Sequence, residues 1–377
     1  FIANESGKSQ TSKCEFYLNN GDGTFRDVAA ESGVDLTVYA KGVSAGDLNN
    51  DGKPDIFISV INGSNHLLVN DGLAGGVPRF RDVSEISGIK EPIQGFPCWI
   101  WDFDQDGLED IFVASYDLNG FSNMAEQVAA EMVGGAISAE FSKLYRNKGN
   151  MQFEDVTERM QLNKLMYAMG SNYGDIDNDG YDDFYIGNGA PDFRMIIPNR
   201  MFLNRNGESF QEVTYEGGFG HIQKGHGVSF GDVDNDGDQD IYCVMGGAVE
   251  GDTYQNLLFE NPGNENSWVT LVLEGTRSNR KAIGARVRIY GSDASGNEII
   301  RYRSVTSGGS FGGSSLQIEA GLGEIKSIER VEVDWPITGA KAEVFQGISI
   351  NGKYHLKEGS GVATKLLSKA FEFRNEI

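Results

Sequence analysis

Asp102-Phe103-Asp104-Gln105-Asp106-Gly107-Leu108-Glu109-Asp110 is one of four near-copies of a nine-residue string. The others are DLNNDGKPD from Asp47, DIDNDGYDD from Asp175 and DVDNDGDQD from Asp232. Each puts oxygen-bearing side chains at positions 1, 3, 5 and 9, with Gly at 6. Hard cations such as Ca²⁺ take about six to eight oxygen ligands, and a short loop supplies them when alternate side chains point inward and a Gly permits the sharp turn. A helix–loop–helix calcium site would close through a Glu at position 12. Position 12 here is Ile58, Val113, Ile186 or Cys243, all apolar. The loop closes instead at position 9, through Asp55, Asp110, Asp183 and Asp240. The runs that follow, IFISV, IFVAS, FYIGN and IYCVM, are rich in β-branched and aromatic residues. Those that precede, GVSAG, PCWIW, SNYG and GVSFG, are also strand-like, so each loop joins two strands of a hairpin.

The acidity follows these loops. The 377 residues carry a net charge of −23. Residues 1–267 hold 17 Lys+Arg against 43 Asp+Glu, while residues 268–358 are nearly balanced. Fifteen of the 43 acids are ligand positions, and without cations they repel one another. No basic track exists for phosphates, so nucleic acid is excluded as a partner. There is no run of apolar residues long enough to span a membrane, and no secretory signal is visible at Phe1, as expected for a mature or trimmed form. Fifty Gly and eight Pro between short apolar runs suit an all-β chain of about two domains. Cys14, Cys98 and Cys243 are too few and too scattered for a disulfide framework or a zinc site. A bond from Cys14 to one of the others is left open.

A second element recurs beside the loops. It reads FYLNNGDGTFRDV at 16–28, LLVNDG…RFRDV at 67–83, LYRNKGNMQFEDV at 144–156 and FLNRNGESFQEV at 202–213. LLFENPGN at 257–264 is a partial copy. These are strand pairs around an Asn/Gly turn, sharing Asn19, Asn70, Asn147, Asn204 and Asn261. One unit is about 57 residues, the length of a four-stranded propeller blade. The longer second spacing marks an insertion at 118–141. Within it SNMAEQVAAEMV predicts a helix, capped by Ser122 or Asn123 and ended by Gly134-Gly135. Met124, Val128 and Met132 form its stripe, which is expected to pack on its own propeller.

The pattern DxDxDGxxD, an apolar strand, then LFxNxGxGxFxDV resembles FG-GAP/VCBS repeats, over about residues 14–262. The resemblance implies an integrin-α-type β-propeller of four full repeats and a half repeat, with up to four Ca²⁺ held between the first two strands of each blade. Carried over residue by residue, the ligands are Asp47, Asn49, Asp51 and Asp55; Asp102, Asp104, Asp106 and Asp110; Asp175, Asp177, Asp179 and Asp183; and Asp232, Asp234, Asp236 and Asp240. Backbone carbonyls of Lys53, Leu108, Tyr181 and Asp238 would fill position 7. Asn49 removes a charge and weakens the first loop. Trp101 replaces the Gly that precedes the first Asp elsewhere, so that hairpin is expected to enter differently. The opening half blade is expected to be completed by a strand from the other end of the chain, by preceding blades or by a partner.

From Ser267 no calcium loop remains, and six alternating strand-like runs follow. GTRSNRKAIGARVRIY at 275–290, SGGSFGGSS at 307–315, GLG at 321–323 and VEVDWP at 331–336 resemble the ASPIC/UnbV domain, which follows such propellers in bacterial proteins related to cartilage acidic protein. Gly312-Gly313 and Ala320 depart from that family's pattern. The expected division is a propeller over 1–266, a sandwich-like β domain over 267–359 and a tail over 360–377, the tail being a short amphipathic helix or a docking segment.

GVSAG at 42–46 and GVSFG at 227–231 match the GxSxG nucleophile elbow, but that motif needs a strand–turn–helix setting, and both copies run into a calcium hairpin. His66, His221, His226 and His355 are dispersed; His221 and His226 share a Gly-rich connection. The reading is therefore a non-catalytic, calcium-stabilised interaction or scaffold protein outside the cytoplasm: periplasmic, on the cell surface or secreted. It would be an adhesion module or an accessory subunit with a protein partner, and carbohydrate stays open as a ligand. The alternative is a polysaccharide-active, lyase-like propeller enzyme. That would require a Tyr–His–Arg group around a sugar-sized pocket, for which only Tyr167, Tyr173 and His226 offer themselves.

Overall fold

The computed structural model describes every residue except 8–9, 118–123, 191, 193–196, 248–249, 252, 338 and 374–377. A two-stranded sheet and four larger ones follow one another along the first two-thirds of the chain. A two-stranded piece, β1 (Tyr17–Asn19) and β2 (Phe25–Asp27), comes first. The first blade is β3 (Ala40–Gly46), β4 (Asp55–Val60), β5 (His66–Ala74) and β6 (Val77–Asp82). The second is β7 (Gly95–Trp101), β8 (Asp110–Ser115), β9 (Lys143–Asn147) and β10 (Phe153–Asp155). The third is β11 (Ala168–Gly174), β12 (Asp183–Asn188), β13 (Arg200–Arg205) and β14 (Ser209–Glu212). Each is an antiparallel meander in chain order, as short turns between strands dictate. The fourth blade has three strands of its own, β15 (Gly225–Gly231), β16 (Asp240–Met245) and β17 (Leu257–Phe259).

Alternation along the second strand of each blade builds the core. Phe57, Phe112 and Tyr185 occupy the same register position, and each is fully buried. Phe57 packs with Ile111, Val113 and Tyr145 of the second blade, Phe112 with Phe184 and Phe202 of the third, and Tyr185 with Val228 and Ile241 of the fourth. The inner strands come together closely at glycines: a Cβ on Gly170 would lie 1.4 Å from the His226 carbonyl. Both β3 and β15 run straight through Ser44 and Ser229, so neither GxSxG string forms an elbow.

The remaining strands form two further sheets. β18 (Ser267–Glu274), β19 (Arg286–Ser292), β20 (Glu298–Ser304), β21 (Gly312–Ser314), β22 (Ile318–Gly323), β23 (Ser327–Asp334), β24 (Glu343–Phe345), β25 (Gly352–Lys357) and β26 (Ala363–Leu366) follow in order. The sheets β22-β18-β25-β26 and β20-β19-β23-β24 enclose a core of Leu271, Val287, Ile289, Val331, Val333, Trp335 and Phe345. β21 leaves them and joins the inner edge of the fourth blade, parallel to β15, from Val228↔Gly312 to Phe230↔Ser314. The Gly/Ser run around it also reaches the second blade. Ser310 exchanges hydrogen bonds with the Cys98 backbone, and the Phe311 ring stacks on Phe96 at 4.7 Å.

Four expectations need correction or refinement. Trp101 does not alter its hairpin: Trp101↔Asp110 matches Gly46↔Asp55, Gly174↔Asp183 and Gly231↔Asp240, because the indole turns into the aromatic core. The half blade meets the chain's own start at one isolated bridge, just before β1, where Ile2 and Glu15 exchange two backbone hydrogen bonds. The tail begins as strand β26 on β25 rather than as a helix, and the Phe371 N–H then reaches the Asp234 carbonyl at 3.0 Å. The insertion helix spans Met124–Met132, buries Met124, and leaves Met132 exposed; its expected cap, Ser122 or Asn123, lies outside the described residues. Glu131 anchors that helix through a buried ion pair with Arg200. All three cysteines are free and buried.

Candidate metal centre

The four acidic loops connect β3 to β4, β7 to β8, β11 to β12 and β15 to β16. Their turns are alike. Position 4 (Asn50, Gln105, Asn178, Asn235) has φ of +54° to +63°, and the Gly at 6 has φ of +78° to +101°. The second value explains the Gly, since other residues are strained there. The first Asp closes the turn: Asp47 accepts from the N–H groups of Asp51 and Gly52, Asp102 from Asp106 and Gly107, and Asp175 from Gly180. The position-7 residues Lys53, Leu108, Tyr181 and Asp238 each donate their N–H to the position-5 carboxylate.

The position-9 carboxylates are locked between two strands. Asp55, Asp110, Asp183 and Asp240 each accept one N–H from loop position 2 and one from the shared Asn (Asn70, Asn147, Asn204 or Asn261) at 2.7–2.8 Å. The Asn side chains then reach further. Asn147 donates to Leu48 O, Asn204 to Phe103 O and Asn261 to Ile176 O, each in the loop of the preceding blade. The recurrence of this Asn was visible in sequence; its role as a staple between blades was not.

Three loops gather carboxylates. One oxygen each from Asp102, Asp104 and Asp110 lies within 4.8 Å of the others, and the same holds for Asp175, Asp177 and Asp183 and for Asp232, Asp234 and Asp236. Asp104 Oδ1, Asp175 Oδ1, Asp177 Oδ1, Asp232 Oδ1 and Asp238 Oδ1 are buried with no hydrogen-bond partner. Burial above all, with the neighbouring carboxylates adding to it, pushes Asp102 up to about 8, Asp179 and Asp232 to about 6, and Asp110, Asp175 and Asp183 well above the carboxylate range. A divalent cation is the group that would satisfy such a set, so the residues present fit calcium.

The first loop differs. No carboxylate trio forms there among the described residues, and the Lys53 ammonium lies on the Asp51 carboxylate, 3.4 Å from Asn70 O. Asn49 supplies an amide in place of the missing charge. Burial and the nearby Asp47 and Asp51 still raise Asp55 to about 7. Elsewhere Arg146 pairs with Asp104 and Asp106, and Arg303 pairs with Asp175 at 3.0 Å.

A family model described as FG-GAP-like repeat matches residues 1–58, 47–113, 102–186 and 187–243. The chain belongs to the FG-GAP-like repeat family. A second model, ASPIC and UnbV, matches residues 275–363. The chain is also similar to Cartilage acidic protein 1 of Mus musculus, 27% identical over 326 residues, covering 85% of this chain and 45% of the relative. For the Homo sapiens protein the values are 27% over 327 residues, 85% and 44%. This FG-GAP chain thus spans under half the length of those relatives. Its alignment with AofleA from Arthrobotrys oligospora covers 97% of this chain and 93% of that one at 7% identity, with a TM-score of 0.29, too low to argue from.

Two cavities bear on catalysis. One of about 100 Å³ between the FG-GAP repeat sheets and the C-terminal sheets has Trp101, Glu109, Tyr173, Arg286 and Arg303 in its lining. That is well below the roughly 300–1,000 Å³ of ligand pockets. A cleft of about 960 Å³ opens beside β3; its walls are mostly Gly, Ser and small apolar residues, with Asp47, Glu109 and Arg286 as the charged groups and no Tyr or His among the described residues. His221 pairs with Tyr254, His66 with Asp82 and His355 with Glu274, each with a partner of its own.

Proposed function

We propose that this chain is a calcium-stabilised, non-catalytic interaction protein that works outside the cytoplasm and holds a protein partner. The observation that carries the reading is the set of five buried, unpartnered carboxylate oxygens in the second, third and fourth loops. Four of them, on Asp104, Asp175, Asp177 and Asp232, are side-chain ligand positions of those loops, and the fifth, on Asp238, sits at position 7; the first loop is the weakest of the four. Calcium sites of extracellular modules fill at millimolar concentrations, which the cytosol does not offer. The relatives' name, Cartilage acidic protein 1, supports an extracellular setting. Tyr242, Val244 and Leu258 form an exposed apolar face on the fourth blade, which supports a protein partner. The strong acidity of residues 1–267 argues against nucleic acid.

Calorimetric titration of the chelated chain with CaCl₂, paired with thermal melting in calcium and in EGTA, tests this. Ligand bound only by the native state stabilises by about 2.7 kcal/mol at a hundredfold excess over Kd. EGTA is therefore expected to lower the midpoint by at least about 5 °C, given roughly 2–4 °C per kcal/mol for chains of this order. No binding heat and an unchanged midpoint would remove the basis of the proposal.

A further inference from the structure

We propose that the C-terminal sheets form the outer shell of the third cation loop, so that calcium binding at Asp175–Asp183 and docking of those sheets strengthen each other. The inference rests on the calcium reading above and adds a coupling to it. Asp175 is 1% exposed, and its two oxygens have different surroundings. Oδ2 accepts from Gly180 N in its own loop, from Gly321 N of β22 at 3.1 Å and from Arg303 Nη2 just after Tyr302 on β20 at 3.0 Å. Oδ1 has no partner. One carboxylate thus holds the C-terminal sheets with one oxygen and offers the other to a cation.

The same sheets also hold the outside of the turn. Gly323 N donates to Asn178 O at 2.9 Å, Arg301 Nη2 to Asp179 O at 3.0 Å and Arg303 Nη1 to Gly180 O at 3.4 Å. Asn266, just before β18, donates to Asp177 O at 2.8 Å. The Arg301 guanidinium lies over the Tyr181 ring, 4.8 Å from its centre. Four consecutive carbonyls, 177 to 180, are therefore held from outside. They point that way only while Asn178 and Gly180 keep their left-handed backbone, at φ +54° and +96°. A cation inside the loop fixes that turn, and an empty loop of like charges favours opening it. Among the described residues no other loop has a ligand carboxylate bonded by the C-terminal sheets. The second is met through Gln105 and Gly107 O, and the fourth through Glu319 and the Asp234 carbonyl. Coupling of two binding events is reciprocal, so each must strengthen the other by the same factor.

The fit is close enough to be wedged apart without changing charge. A Cβ on Gly321 would lie 2.2 Å from Asp175 Oδ2 and 2.4 Å from Asn178 Cα. A Cβ on Gly313 would meet nothing nearer than Ser229 Oγ at 3.9 Å. Outer-shell partners typically change metal affinity by about 10–100-fold. Hydrogen exchange of the whole chain, read by mass spectrometry in calcium and in EGTA, is the first test. The amides of Gly321 and Gly323 are expected to exchange at least about tenfold faster without calcium, with those of the β19–β23 ladder unchanged. Asp177→Asn should abolish that difference while leaving calcium binding at the other loops. In calorimetry, Gly321→Ala should weaken by about tenfold the binding step that Asp177→Asn removes, and Gly313→Ala should not. Calcium binding without any change at Gly321 and Gly323, or wild-type affinity in Gly321→Ala, would overturn the coupling and leave the calcium reading intact. Absence of calcium binding in the wild-type chain would overturn both.

Discussion

Glu358 shows how a single side chain closes the C-terminal unit. It is 3% exposed and follows β25. Its Oε2 accepts the backbone N–H groups of Thr276, Arg277 and Ser278 at 2.8–2.9 Å, and Oε1 takes the Arg277 guanidinium at 3.1 Å. Burial would raise its pKa, but these donors outweigh burial and hold the carboxyl at about 2, below its ordinary 4.5. A depressed carboxyl stabilises the fold above its unfolded pKa, and that stability drains away as pH falls through the folded value. The wild-type chain should therefore lose stability between pH 4.5 and about 2 in part through this group. Glu358→Gln is expected to cost roughly 1–3 kcal/mol at pH 6. It should also flatten the acid slope in urea unfolding followed from pH 6 down to pH 3. An unchanged slope would mean that the three N–H groups do not discriminate between the charged and neutral forms.

At the scale of the hairpin, the four loops share a turn but not a charge set. The third brings Asp175, Asp177 and Asp183 together, whereas the first has Asn49 and places Lys53 on Asp51. Asp177→Ala should lower the melting midpoint in calcium by more than Asn49→Ala does, since it removes a charged ligand from a gathered site. Equal shifts by calorimetry would contradict that ranking. These loops were legible in sequence because each constraint is local: Gly at 6 answers a positive φ, and the apolar position 12 rules out the helical alternative. The shared Asn was legible only as a repeat. Its partner carbonyls belong to the previous blade, about a hundred residues away for Asn204 and Phe103, and no local pattern records such a distance. The helical alternative for the tail fails for the same reason. VATKLL carries no strong period, and pairing with β25 decided its form.

Across the whole molecule, the number of hairpins was readable but the way the array ends was not. The Gly/Ser run at 307–315 has no periodicity, yet it supplies the strand that joins β15 and the Phe311 ring that stacks on Phe96. Its meaning lies in contacts made over 140 residues away, such as Asn172 Nδ2 with Ser314 Oγ. The fourth blade shows what an uncovered end looks like. Tyr242 pairs with Leu258 as Tyr185 pairs with Met201, so the two tyrosines are equivalent. Tyr185 is 0% exposed and Tyr242 41%, because a further sheet covers the first and, among the described residues, none covers the second. Truncating a large buried aromatic costs about 3–5 kcal/mol, while exposed substitutions stay within about 0.5 kcal/mol. Tyr185→Ala is thus expected to destabilise the chain severely, and Tyr242→Ala hardly at all, in urea unfolding with calcium present. The loss of its hydroxyl contact with Asn256 Nδ2 is an exposed one and adds little. A large cost at Tyr242 would mean that in solution this face is covered, as its three counterparts are.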